Sequence, residues 1–301
     1  MRIALFGQAA FAEKVLDGLI ERGHDVVATY CPPDAGTRPD PFKARALALG
    51  LSVHQHKSLK GPEVPRELAA YAPELGVLAY VTQIVPPAVF ETPRLGSICF
   101  HPSLLPRYRG GSAIPWQIIK GETRTGVSLF WVDPGIDTGP LLLQRDAAIG
   151  PDDTAGSLYY NTLFPLGVDA VLDAVDLVAD GDPPRETQNE ALATYDPLCR
   201  DEHAALDWRR PVAEVYNLIR GCDPQPGAWF THGDAKVRCH DARRVDRADA
   251  TPAQVLSVDA DGVTIGAAGG AIRVGRLRVG DKKLAAAEAA EGLGLRPGTT
   301  L

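Results

Sequence analysis

Residues 1–30, MRIALFGQAAFAEKVLDGLIERGHDVVATY, read as strand, turn, helix, strand. Ile3 to Phe6 is a short apolar run ending at Gly7, the pattern of a buried parallel strand. Phe11, Val15, Leu16 and Leu19 then fall on one helical face, and Gly23 closes that helix after Glu21. Val26 to Tyr30 is β-branched and aromatic, a second strand. Outward from this unit, apolar runs recur at Leu51 to Val53, Leu75 to Tyr80, Ser97 to His101, Val127 to Val132 and Leu141 to Leu143. Strands alternating with helical segments predict an α/β fold, a doubly wound and mostly parallel sheet with both faces covered.

After Gly150, Asp and Thr residues offer caps for a helix near Gly156, and Val168, Val171, Leu172 and Val175 continue a helical stripe to Gly181. Gly181 to Pro197, with Pro183, Pro184 and many polar residues, reads as a linker. Past Leu206 the pattern changes: a helix over Val212 to Arg220, then short β runs separated by Asp261-Gly262 and Gly269-Gly270. The predicted division is an α/β domain over residues 1–204 and a smaller β-rich domain, barrel or open sheet, over 205–301.

The 301 residues carry a net charge of −7, from 31 Lys and Arg against 38 Asp and Glu. From Ala205 onward there are 14 basic and 12 acidic residues (+2), leaving 17 and 26 (−9) before it. Neither part has the concentrated positive field of a nucleic-acid binder. Five widely spaced cysteines without a C-x-x-C predict reduced thiols in a cytoplasm, not a disulfide framework. No apolar run reaches the roughly 18 residues of a membrane span, and Glu13, Lys14 and Asp17 interrupt the start too early for a secretory leader, so a soluble protein is expected.

The turn after the first strand, Gly7-Gln8-Ala9-Ala10-Phe11, lacks the G-x-G-x-x-G of dinucleotide sites. His54 and His56 form an H-x-H, but the sequence shows no cysteine or acid nearby, so they read as solvent-exposed histidines at a strand end and no metal is expected.

The chemistry concentrates in residues 96–144, GSICFHPSLLPRYRGGSAIPWQIIKGETRTGVSLFWVDPGIDTGPLLLQ. Strand alternation puts Cys99 and His101 on one face, with His101 at the carboxyl end, where open α/β sheets place ligands. The next strand delivers Asp133-Pro134-Gly135-Ile136-Asp137-Thr138-Gly139, whose acids can meet His101 across the sheet edge. Imidazole beside carboxylate serves proton transfer or a structural hydrogen bond equally well as residue types.

H-P-S-L-L-P-x-x-R-G followed by D-x-G-I-D-T-G resembles the signature of the folate-dependent formyltransferases. The opening RIALFGQAAFAEKVLDGLIERGHDVV, Thr82-Gln83-Ile84-Val85-Pro86, LYYNTLFP and IRGCDPQPGAWF are similar to the amino-terminal hydrolase domain of 10-formyltetrahydrofolate dehydrogenase, and the β-rich end to the small barrel-like domain of methionyl-tRNA formyltransferase. The resemblance implies a Rossmann-like catalytic domain with 10-formyltetrahydrofolate as formyl donor and no metal. It implies that His101 assists proton transfer and that Asp137 holds and polarises it. It further implies that Gln83, Ile84 and Val85 pack the pteridine, with Ser103, Leu104, Leu105, Pro106, Val132, Asp133 and Gly135 near the folate. Cys99 departs from the family's usual Asn, an oxyanion donor, as the hydrolase domain also does. It is read as a small buried hydrophobe, with a formyl-accepting thiol as the alternative catalytic role.

Three acceptors follow: a small-molecule amine, methionyl-tRNA, or water. The loop Pro32 to Pro41 holds one Arg and two Asp, which disfavours tRNA, and alternating Arg273, Arg276 and Arg278 read as a solvated strand face. The chain ends at Leu301 without the dehydrogenase's further domains, so a small-molecule amine of its own is expected.

Overall fold

In the computed structural model, which describes residues 1–34 and 36–301, the first strand β1 (Arg2–Gly7) is buried from Ile3 onward. Ala35, inside the Pro32 to Pro41 loop, lies outside the described residues. Gly7 ends β1 where a Cβ would stand 2.4 Å from the Ala79 carbonyl oxygen and 2.5 Å from the Ala12 Cβ, so only glycine fits. The helix α1 (Ala9–Glu21) buries Phe11, Val15, Leu16 and Leu19, the stripe read from the sequence. β2 (Asp25–Cys31) returns parallel to β1. Asp40 then caps α2 (Pro41–Ala48), accepting from the Phe42 amide at 2.9 Å.

Parallel addition continues with β3 (Val53–Gln55) on β2, and, after α3 (Glu63–Ala70), with β4 (Leu75–Ala79) on β1. α4 (Pro87–Phe90) leads to β5 (Ser97–His101), parallel to β4 and within the bounds expected. After α5 (Ala113–Ile119), β6 (Arg124–Trp131) pairs antiparallel with β5, and β7 (Leu141–Ala148) closes that edge. The sheet order is β3-β2-β1-β4-β5-β6-β7. A capping box of Thr154 and Ser157 starts α6 (Ala155–Leu158), and a π-helical turn, 159–163, passes into α7 (Phe164–Asp180), which stops at Gly181. On the face opposite Cys99 and His101, Phe100 packs against Phe11 at a tilt, with centroids 4.5 Å apart. A Cβ at Gly167 would come within 2.5 Å of Phe100, which favours glycine in the first turn of α7.

Towards the carboxyl end, α8 (Val212–Gly221) precedes β8 (Trp229–His232), β9 (Ala235–Val245), β10 (Val255–Asp259), β11 (Gly262–Ala267), β12 (Gly270–Val279), β13 (Lys282–Ala285) and α9 (Ala286–Leu293). These strands form one antiparallel sheet, β10-β11-β12-β9-β8, with β13 on β12. The two Gly-containing turns fall at its hairpins, as expected. Its core includes Val215, Ile219, Val237, Ile265, Ile272 and Leu277.

The chain forms two compact units: residues 1–111, 125–147 and 161–195, and residues 112–124, 148–160 and 196–301. The first contains the whole candidate site. The sequence-based boundary at 204 falls inside the second, which also takes in α5 and the stretch around α6.

Candidate active site

β5 ends at His101, and Pro102 turns the chain away. The imidazole is 6% exposed. Its Nε2 lies 2.7 Å from the Tyr108 carbonyl, which only accepts, so Nε2 carries a proton. Its Nδ1 faces Asp137 Oδ2 at 3.5 Å. Imidazolium donates from both nitrogens, the neutral ring from one.

The two residues do not meet by the route the sequence suggested. Because β6 runs antiparallel to β5, His101 lies opposite Ser128 and Ile98 opposite Trp131. The loop after β6 therefore leaves beside the start of β5 and must come back over the Cys99 face, where Val132 and Cys99 share an apolar cluster. At Asp137 the backbone adopts φ +55°, and the carboxylate reaches His101.

Several groups hold that loop. The Gly110 amide donates to Asp137 Oδ2 at 2.7 Å. Gln188 donates from Nε2 to the carbonyls of Asp137 and Gly139 at 2.9 and 2.7 Å. Arg109 donates from Nη2 to Gln188 Oε1 at 2.8 Å and pairs with Glu190 at 2.6 Å. The Glu190 hydrogen bond, outweighing burial, raises the Arg109 pKa, with Asp137 and Asp133 adding. Gln188 and Glu190 come from the segment read as a linker, and that reading is corrected. Glu186 and Leu141 exchange backbone hydrogen bonds, and the Arg109 amide donates to the Thr194 carbonyl at 2.9 Å. Residues 181–195 are a strap along the site: Gln188 is buried against its loops, and most of the strap's other polar side chains face solvent.

The expected folate residues divide by exposure. Ile84 (68% exposed) and Ile136 (54%) stand outside, Gly135 is exposed beside them, and Val85 and Val132 are half-buried. Gln83 donates to the His56 carbonyl at 3.1 Å. Ser103 and Leu105 turn inward: Ser103 Oγ donates to the Arg107 carbonyl, and Leu105 packs with Phe130 and Leu141. Leu104 and Pro106 are half-buried. Asp133 is spent on its own loop, accepting from the Gly135 amide at 3.0 Å and from Thr138 Oγ1 at 2.7 Å. Burial, with Asp137 adding, pushes the Cys99 thiol far above its ordinary range. An open cleft of about 280 Å³ lies at the carboxyl ends of β1, β2 and β4, lined by Gly7, Gln8, Tyr30, Tyr80, Thr82 and Gln83 among others. His101 and Asp137 lie off its wall.

His54 and His56 are not the exposed pair expected. Both are half-buried, and an acid absent from the local sequence, Glu67 of α3, meets both. Among the described residues, all five cysteines are free, and no helix is long and apolar enough to cross a membrane.

His101 at the carboxyl end of β5 thus faces Asp137, which returns over the same sheet, and comparison with known proteins shows the family. The formyl transferase family model matches residues 1–172, and the model of the formyl transferase C-terminal domain matches 199–294. The chain belongs to the formyl transferase family. It is 39% identical over 263 residues to the cytosolic 10-formyltetrahydrofolate dehydrogenase of Xenopus tropicalis, which covers 86% of this chain but only 29% of that protein. The chain thus spans under a third of the length of that relative. It is 36% identical to the methionyl-tRNA formyltransferase of Geobacter metallireducens over 100% of this chain and 98% of that protein. In fold it is similar to HypX from Aquifex aeolicus, solved with tetrahydrofolic acid (TM-score 0.73, 22% identity, 99% of this chain and 48% of that one).

Proposed function

We propose that the chain transfers the formyl group of 10-formyltetrahydrofolate to the amine of a small molecule, in a compartment that keeps its thiols reduced. The observation that carries this reading is the 3.5 Å approach of His101 Nδ1 to Asp137 Oδ2 on the two loops of a formyl transferase motif. The surroundings fit a folate. Tyr80, Ile84 and Ile136 are large apolar side chains left exposed, surface of the kind a flat aromatic ring covers. Gln83, Ile84, Val85, Val132 and Gly135 would hold the pteridine, while Ser103 to Pro106 shape the strand exit.

The folate supplies a formyl carbon open to attack by an amine. That amine sheds a proton as it attacks. With Nε2 committed to the Tyr108 carbonyl, His101 Nδ1 is the atom free to accept it, and the Asp137 carboxylate stabilises the charge that results; the proton then goes to the folate nitrogen as its bond to the formyl carbon breaks and tetrahydrofolate leaves. A raised pKa keeps Cys99 a thiol, which supports a packing role over covalent formyl transfer. A thiol is also a weak oxyanion donor, so turnover should lack part of the ~3–4 kcal/mol such donors supply.

A small acceptor fits the charge better than tRNA. The Pro32 to Pro41 loop has one Arg against two Asp, Lys43 pairs with Asp34, and Arg273 on β12 is paired with Asp261 at 3.3 Å, so these regions offer phosphates few cations. Tetrahydrofolate release, measured against a panel of amines, charged initiator tRNA and no acceptor, tests the proposal. Stimulation by an amine supports it. Stimulation by tRNA alone, or acceptor-free formate release at ~1 per second or more, contradicts it.

A further inference from the structure

Edge strand β3 and helix α3 bring together three side chains that formyl transfer does not use. Glu67 Oε2 lies 2.9 Å from His54 Nδ1, and Glu67 Oε1 lies 3.1 Å from His56 Nε2. One donor atom from each of the three falls within 4.8 Å of the others. In a tetrahedral zinc shell with bonds near 2.0–2.1 Å, donor atoms stand roughly 3.3 Å apart, and the two imidazole–carboxylate approaches, 2.9 and 3.1 Å, are close to that spacing. His54 also shows the outer bond of a metal-ligating imidazole: its second nitrogen, Nε2, is held by the Tyr71 hydroxyl at 2.9 Å.

Tyr30 supplies an independent observation. Its ring is 2% exposed and stacks on His54 with centroids 4.9 Å apart. Its hydroxyl is buried without a well-formed hydrogen bond among the described residues. That hydroxyl, buried beside two imidazoles and a carboxylate, is placed to hydrogen-bond a water on a bound cation.

We propose that His54, His56 and Glu67 bind a divalent transition-metal ion of the zinc class, with the Tyr30 hydroxyl beside the fourth position. Two imidazoles and a carboxylate suit such an ion better than Mg²⁺ or Ca²⁺, which prefer all-oxygen shells. The ion would clip the three-residue strand β3 to α3, behind the cleft wall that Tyr30 contributes.

The test uses the full, tag-free chain stripped of metal. Equilibrium dialysis should find one Zn²⁺ per chain, with Mg²⁺ and Ca²⁺ not competing. Zn²⁺ should raise the melting temperature at pH 7, and a chelator should reverse that rise. His54→Ala, His56→Ala and Glu67→Gln should each weaken binding by at least about tenfold, no less than the loss of an outer-shell partner costs. Substituted Co²⁺ should show visible absorption without a thiolate charge-transfer band, a readout on the unaltered protein that does not depend on a variant folding. Absence of stoichiometric Zn²⁺ binding, binding that survives the double histidine variant, or a thiolate band would each overturn the proposal.

Discussion

Gln188 holds Asp137 in place: its Nε2 donates to the Asp137 carbonyl at 2.9 Å while its Oε1 accepts from Arg109. The aspartate's position beside His101 thus depends on a residue 51 positions away, on the strap.

Replacing that side chain should therefore impair chemistry more than binding. Gln188→Leu leaves the Asp137 and Gly139 carbonyls and part of a buried guanidinium unpaired, at about 1–3 kcal/mol of stability. Steady-state kinetics should show kcat falling well over tenfold, with folate KM little changed. An unchanged kcat would mean the strap does not position the aspartate.

Gly139→Ala should act on the same loop by crowding. A Cβ there would stand 1.7 Å from the Trp131 carbonyl oxygen, a backbone atom with no easy escape. Overpacking of this kind costs ~1–3 kcal/mol or more, so urea unfolding should shift to lower midpoint and activity should fall with it.

Cys99→Ala should leave turnover within a few-fold of wild type, at a packing cost of ~1 kcal/mol for a small buried side chain. Complete loss of turnover with intact folate binding would assign the thiol a covalent role. Cys99→Asn, which restores an amide donor, should raise kcat if the fold accepts the larger side chain.

The second unit should carry its own acid sensitivity. Burial of Asp223 works against ionisation, but the His240 hydrogen bond at 2.8 Å, the His240 charge and the Asp241 amide outweigh it and lower the pKa. A lowered carboxyl pKa stabilises the fold fully above the unfolded value near 4 and loses that contribution as pH falls through the folded value. Urea unfolding followed by tryptophan fluorescence should thus show wild type weakening below about pH 4. Asp223→Asn should be less stable at pH 7 and flatter in that window. Parallel pH profiles would refute this.

What the sequence disclosed and what it hid separate by range. Ser97 to His101, the α1 stripe and the Gly-containing hairpin turns were readable because period, β-branching and turn chemistry are local properties. The direction of β6 was not, since alternation is the same whichever way a strand runs, and with it went the true path of the Asp137 loop. Gln188 was hidden because a polar, proline-rich strap looks like a linker until its side chains are seen bonding to loops far away in sequence. Glu67 was hidden likewise: its helical neighbours say nothing about two histidines on another element. The burial of Ser103 and Leu105 depended on how the chain turns after Pro102, which composition does not specify.

The central claim, that His101 and Asp137 act together on a proton during formyl transfer, is tested most directly by His101→Asn and Asp137→Asn measured for both single-turnover formyl transfer and tetrahydrofolate affinity. The transfer rate should fall by about 10²–10⁴-fold in each variant, with affinity within a few-fold of wild type. Transfer at near wild-type rate in either variant would contradict it.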